Sequence, residues 1–145
     1  MKLFEITTKA VSADEVLARL VEPSVGGVTA FVGVVRARTD GRETDHLLYE
    51  AYPQMAEEQL RQIGGEIQDR WPSIREVAIV HRIGRLEVGE TIVVIAVSSA
   101  HRQETFDATH YAIDRLKEIV PIWKKEVWED GQAWKSEDHR GGPTG

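Results

Sequence analysis

The sequence predicts an α+β domain, and three observations carry that reading. Strand-like and helix-like segments follow one another irregularly, without the strict strand–helix alternation of a doubly wound sheet. The strand candidates are β-branched runs, such as residues 27–38 (GVTAFVGVVRAR) and 91–99 (TIVVIAVSS). Two long segments with helical spacing each stop at a proline, Pro72 and Pro121.

Residues 3–8 read as an opening strand. Ser12 and Glu15 have the spacing of a capping box, which opens a short helix through Leu20. Residues 27–38 read as one long strand, with Gly33 marking a bulge or a close backbone approach. Asp40-Gly41 makes a turn that tolerates positive φ, and residues 46–52 return antiparallel. Pro53 breaks that strand, and residues 54–71 have helical spacing, with Gly64-Gly65 marking a close-packing point or a kink. Residues 75–83 and 91–99 are buried-type strands joined by a loop holding Gly84 and Gly89. A strong helix covers 101–120, a strand covers 122–128, and Asp130-Gly131 turns into a short strand at 133–135. Residues 1–135 form one domain, and the polar, Gly-rich residues 136–145 form a flexible tail.

The chain has 145 residues, of which 41% are hydrophobic and 29% charged, enough to build a core without staples. It has no Cys, which excludes a disulfide framework, a thiolate metal site and a persulfide carried by the chain itself. The net charge of −6 argues against binding nucleic acid or an anionic membrane through bulk charge. No apolar run is long enough to cross a bilayer, no secretory signal is evident, and a cytoplasmic location fits. The histidines lack metal-ligand spacing, so no metal is expected.

Scattered cations remain as candidates. On the helix from His101, Phe106, Ile113 and Val120 fall within a 40° arc, since seven-residue steps drift by only about 20°. They predict the buried stripe, flanked by Leu116 and Ala112; His110 and Lys117 lie on it too. Lys117 either snorkels at the rim of the core or projects into a pocket, where partial desolvation makes it a usable acid, base or nucleophile. Lys124 and Lys125 follow in a strand with side chains on opposite faces, Lys124 sharing its face with Glu126. Ser98-Ser99-Ala100-His101-Arg102 joins a strand to a helix N-terminus; it is either a capped end with an exposed Arg or an anion site. Arg36 and Arg38 lie on one face of the long strand. Composition and spacing name no reaction.

The motifs taken together resemble the molybdopterin synthase large-subunit (MoaE) family. The matching segments are FVGVVR (31–36), YEAYPQM (49–55), RWP (70–72), VHRIG (80–84), SSAHR (98–102), Leu116-Lys117 and PIWKKE (121–126), in family order and at family spacing. The resemblance implies an α/β-hammerhead-type subunit with a mixed, largely antiparallel sheet, dimeric. Its implied partner is a ubiquitin-like small subunit at each end of the dimer, completing a heterotetramer. That partner's C-terminal Gly-Gly thiocarboxylate would convert cyclic pyranopterin monophosphate to molybdopterin with no cofactor. Lys117 and Lys124 are the implied catalytic residues. Val34, Val35, Arg36, His101, Arg102, Lys125, Glu126 and, at the C-terminus, Arg140 join them in the substrate pocket. The family often has a Lys where this chain has Val34. Two other classes stay open: a non-catalytic module that clamps a Gly-Gly tail, and a binder of a phosphorylated metabolite.

Overall fold

In the computed structural model, residues 2–129 and 131–136 are described. The chain opens with strand β1 (Phe4–Thr7) and helix α1 (Ala13–Leu20), which begins at Ser12 because that hydroxyl accepts the Glu15 N–H. Strand β2 (Gly27–Val34), the short β3 (Arg38–Thr39) and β4 (Arg42–Ala51) follow. Helix α2 (Pro53–Arg70) starts on its proline, whose missing N–H costs nothing at a first turn. Strands β5 (Ile74–Arg82), β6 (Gly84–Glu87) and β7 (Thr91–Ser99) lead to helix α3 (Gln103–Ile119), and β8 (Ile122–Trp128) and β9 (Gly131–Ser136) close the described chain.

The strands form two sheets. The first has the order β1-β5-β7-β2, with β1 and β5 parallel and the other pairs antiparallel. The second runs β3-β4-β8-β9, with β6 on the other side of β4. Successive side chains of a strand point to opposite faces, and β7 uses both. Val94 and Ala96 pack with Val16 and Leu20 of α1, while Ile95 and Val97 join the larger core with Leu60, Ile63 and Ile67 of α2 and Ala108 and Ala112 of α3. That core also takes in Leu47, Tyr49, Leu86 and Ile122 of the second sheet, so one apolar interior serves both sheets. Each fully buried Leu or Ile contributes about 1.5–3 kcal/mol relative to exposure.

The expected elements are present, with three differences. The strand over 27–38 breaks at Val34, after a register shift between Gly33 and Val34, because the chain there leaves the first sheet for the second. The loop between the two buried strands contains β6, which docks on β4. The antiparallel return is confined to the hairpin, where Arg42 and Glu43 pair with Thr39 and Arg38 of β3; residues 46–51 of β4 pair with β6 and β8 rather than with β2. The Asp40-Gly41 turn has φ of 52° and 80°, the positive pair a tight hairpin needs. Gly64 is the close-packing point: a Cβ there would lie 2.4 Å from the Phe4 ring, whereas Gly65 faces open space. Among the described residues no helix is long and apolar enough to cross a membrane.

Candidate active site

Helix α3 begins on a turn held by buried hydroxyls. Ser99 donates to the Ser73 carbonyl (3.1 Å) and accepts the His101 N–H (3.3 Å). Thr29 of β2 donates to Thr105 in the first turn (2.5 Å), and the Thr105 hydroxyl donates to the Arg102 carbonyl (2.5 Å). Ser98, Ser99 and Thr105 are fully or nearly buried, so these bonds form away from water. Gly26 passes so close beneath that a Cβ would sit 2.2 Å from the Ala100 oxygen. On this rigid base His101 and Arg102 project into solvent at the positive end of the helix dipole. The arrangement suits a solvated anion such as a phosphate.

The expected stripe of α3 is buried at Val120 and at its flank of Ala112 and Leu116, but not at Phe106. Thr105, Ala108, Thr109, Ala112 and Leu116 face the core, while Phe106 is 62% exposed. The stripe is rotated by about 100°, one residue along the helix, because small side chains let α3 approach the sheet closely. Ile113 is half-buried, and His110 lies in solvent opposite Asp114 (3.5 Å). Lys117 consequently sits on the flank of the core, half-buried, in the last turn of α3.

Past Val120 and Pro121 the chain enters β8. Lys124 pairs with Tyr49 and Glu126 with Leu47, and residues directly opposite in an antiparallel ladder share a face. Tyr49 and Leu47 are core residues, so Lys124 and Glu126 point inward. The Lys124 side chain is 14% exposed, Glu126 is 2% exposed, and Lys124 Nζ lies 3.9 Å from Glu126 Oε1. A buried carboxylate beneath a lysine holds the ammonium in place and compensates its charge. Lys125 points to the opposite face, its Nζ 5.0 Å from the centre of the Trp134 ring. It therefore does not share a site with Lys124, and its assignment to the substrate pocket is corrected.

Arg36 follows the end of β2 and is exposed, in no strand. Its expected partner on the same face, Arg38, is engaged with the Gly41 carbonyl (3.2 Å), and Arg42 stacks on Trp128 (4.5 Å). Among the described residues Arg36 has no ion-pair partner, which leaves it available to a ligand. Val34 is half-exposed, but the Val35 side chain is 3% exposed and belongs to the core, so it anchors the segment and cannot face a substrate. Arg140 lies outside the described residues.

The candidates do not converge in one cleft of one chain. His101 and Arg102 stand at the start of α3 and Lys117 at its end, roughly 22 Å apart at 1.5 Å per residue. Sequence reasoning also missed an aromatic groove on the outer face of the second sheet, lined by Tyr52, Trp123 and Trp134; the alternation of Trp123 with the inward Lys124 was its signal. Among the described residues no group of three or more His, Asp or Glu could hold a metal ion.

A family model described as "MoaE protein" matches residues 6–119. The chain is 54% identical over 133 residues to the molybdopterin synthase catalytic subunit of Halalkalibacterium halodurans, covering 92% of this chain and 85% of that protein. The Bacillus subtilis protein of the same description is 48% identical over 134 residues, with the same coverage. The crystal structure of molybdopterin synthase from Staphylococcus aureus superposes with a TM-score of 0.89 at 48% identity, covering 93% of this chain and 98% of that one. A complex of subunits 1 and 2 of molybdopterin-converting factor from Helicobacter pylori shares the fold, with a TM-score of 0.74 at 18% identity over 92% of this chain and 90% of that one.

Proposed function

Because the chain belongs to the MoaE protein family, we propose that it is the catalytic subunit of a molybdopterin synthase. It works in the cytoplasm, in molybdenum cofactor biosynthesis. It takes sulfur from the C-terminal thiocarboxylate of a ubiquitin-like small subunit and places it on cyclic pyranopterin monophosphate, forming the dithiolene of molybdopterin. A chain without Cys has no sulfur carrier of its own, which agrees with sulfur arriving on the partner. The proposed reaction uses side chains only, with no resident metal or cofactor.

The placement of Lys117 and Lys124 is the observation that carries this reading. Lys117 is half-buried in the last turn of α3, and Lys124 points inward from the strand that follows, with Glu126 beneath it. Lys117 acts as general acid/base while the thiocarboxylate sulfur attacks, or transiently as a nucleophile. Lys124, held by Glu126, orients the anionic terminus of the partner. His101 and Arg102 bind the phosphate, and Arg36 positions the pterin.

A small pterin monophosphate cannot have its phosphate held at one end of α3 and its reacting carbons roughly 22 Å away at the other. The working site is therefore shared between two copies: Lys117 and Lys124 from one, His101 and Arg102 from the other. Strand β2 is the outer strand of the first sheet and exposes Phe31, Val32 and Val34. An apolar free edge is the surface a second copy would cover.

The test mixes two inactive variants, Lys117→Ala and Arg102→Ala, under conditions that exchange protomers. A shared site restores product formation in the mixture, because each mixed dimer holds one intact set of residues. A mixture as inactive as its components overturns the sharing. The non-catalytic alternatives predict binding of the partner or the pterin by the wild-type chain with no turnover.

A further inference from the structure

We propose that Arg82 and Glu90 form a clamp that positions Arg36 for the phosphorylated substrate, an inference that rests on the substrate role of Arg36 given above. The clamp starts from an ion pair: Arg82 Nη1 donates to Glu90 Oε2 at 2.8 Å. The other carboxylate oxygen, Oε1, accepts the Glu87 N–H at 2.8 Å, and the Glu90 N–H donates to the Glu87 carbonyl at 3.0 Å. Glu90 thus closes the β6–β7 turn with its side chain and its backbone. Gly89 makes the turn possible with φ of 89°.

This turn grips one residue of the neighbouring segment on both sides. The Val35 N–H donates to the Glu90 carbonyl (3.0 Å), and the Gly89 N–H donates to the Val35 carbonyl (2.9 Å). With its side chain buried as well, Val35 is fixed in position and direction. Arg36 is the next residue, exposed and without an ion-pair partner among the described residues. β2 has already left its ladder here; on the far side of Arg36 the Ala37 carbonyl accepts the Thr44 N–H (2.8 Å), and the grip on Val35 sets the near side. The Glu90 carboxyl is held below the usual carboxylate range, first by the Glu87 N–H and then by Arg82, so the clamp stays charged at neutral pH. Among the described residues Arg82 and Glu90 make no hydrogen bond or ion pair with His101, Arg102 or Lys117; they are positioning residues.

The experiment is a double-mutant cycle on the full synthase, with thiocarboxylated small subunit and cyclic pyranopterin monophosphate. It compares Arg36→Ala, Glu90→Ala and the double variant, with Glu90→Gln as the milder change in case Glu90→Ala lowers folding. Glu90→Ala is expected to raise KM for the pterin about tenfold while kcat stays within about twofold, and to add nothing in the Arg36→Ala background. A general structural weakening would act equally in both backgrounds, so additivity overturns the clamp. If Arg36→Ala raises KM and neither Glu90 variant does, the clamp fails while the role of Arg36 stands. If Arg36→Ala leaves KM unchanged, the role of Arg36 falls, and the clamp with it.

Discussion

At the N-terminal end of α3 the side chains that would touch a ligand, His101 and Arg102, stand in solvent, and the backbone beneath them is tied down by buried hydroxyls. At the C-terminal end the relation is inverted. Lys117 is partly buried, and in strand β8, which follows, Lys124 is too, with a carboxylate under it. The difference fits the roles proposed for the two ends. Holding a phosphate needs donors aimed outward and tolerates water. Moving a proton or orienting an acyl-sulfur group gains from exclusion of water, where a charged side chain is worth more and moves less.

The sharpest break of this comparison is kinetic. Lys117→Ala should lower product formation by at least about 10²-fold in kcat. Arg102→Ala should act mainly through KM for the pterin. Both are read from steady-state rates with saturating partner, and identical effects on kcat and KM would erase the distinction between the two ends.

A smaller effect concerns how the C-terminal half of α3 is fastened. Arg115 donates twice to Glu66 of α2 (both 2.9 Å), and Tyr111 and Gln62 add further bonds (2.7 and 2.9 Å). Chiefly because of Arg115, the Glu66 carboxyl is lowered from 4.5 to about 2. A depressed carboxylate contributes stability that is fully present above its unfolded pKa and is lost as pH falls through the folded one. Glu66→Gln should therefore cost roughly 1–2 kcal/mol at neutral pH and give a shallower loss of stability between pH 4.5 and 2. Urea unfolding at several pH values checks it, and parallel acid profiles for the two proteins would contradict it. The smallest effect belongs to the N-terminal end. Phe106→Ser should change the folding free energy of the protomer by no more than about 0.5 kcal/mol, since the ring is largely in solvent. A loss of several kcal/mol would return Phe106 to the core stripe.

Much of the fold could be read from local rules. The Ser12 cap, the prolines at 53, 72 and 121 and the Asp40-Gly41 hairpin act over a few residues, and each lies where it was expected. The misplaced stripe of α3 shows where such rules stop. Phe106 marked the wrong face, because a helix laid closely on a sheet buries Ala and Thr in its first turns and leaves that ring outside. Strand β6 was hidden for a related reason: its four residues hold only one buried side chain, and pairing with β4 makes them a strand.

The sequence by itself determined the chemistry on offer: no thiol, two lysines around Pro121, a basic turn before a helix, and the motif order that marks the family. Only the tertiary structure decided how these groups are distributed. It turned Lys124 inward over Glu126 and Lys125 outward onto Trp134, and it put His101–Arg102 and Lys117 at opposite ends of one rigid helix. The reason is that residue type and spacing act along the chain, whereas burial and distance depend on which sheet face a strand presents and how far a helix runs before it turns.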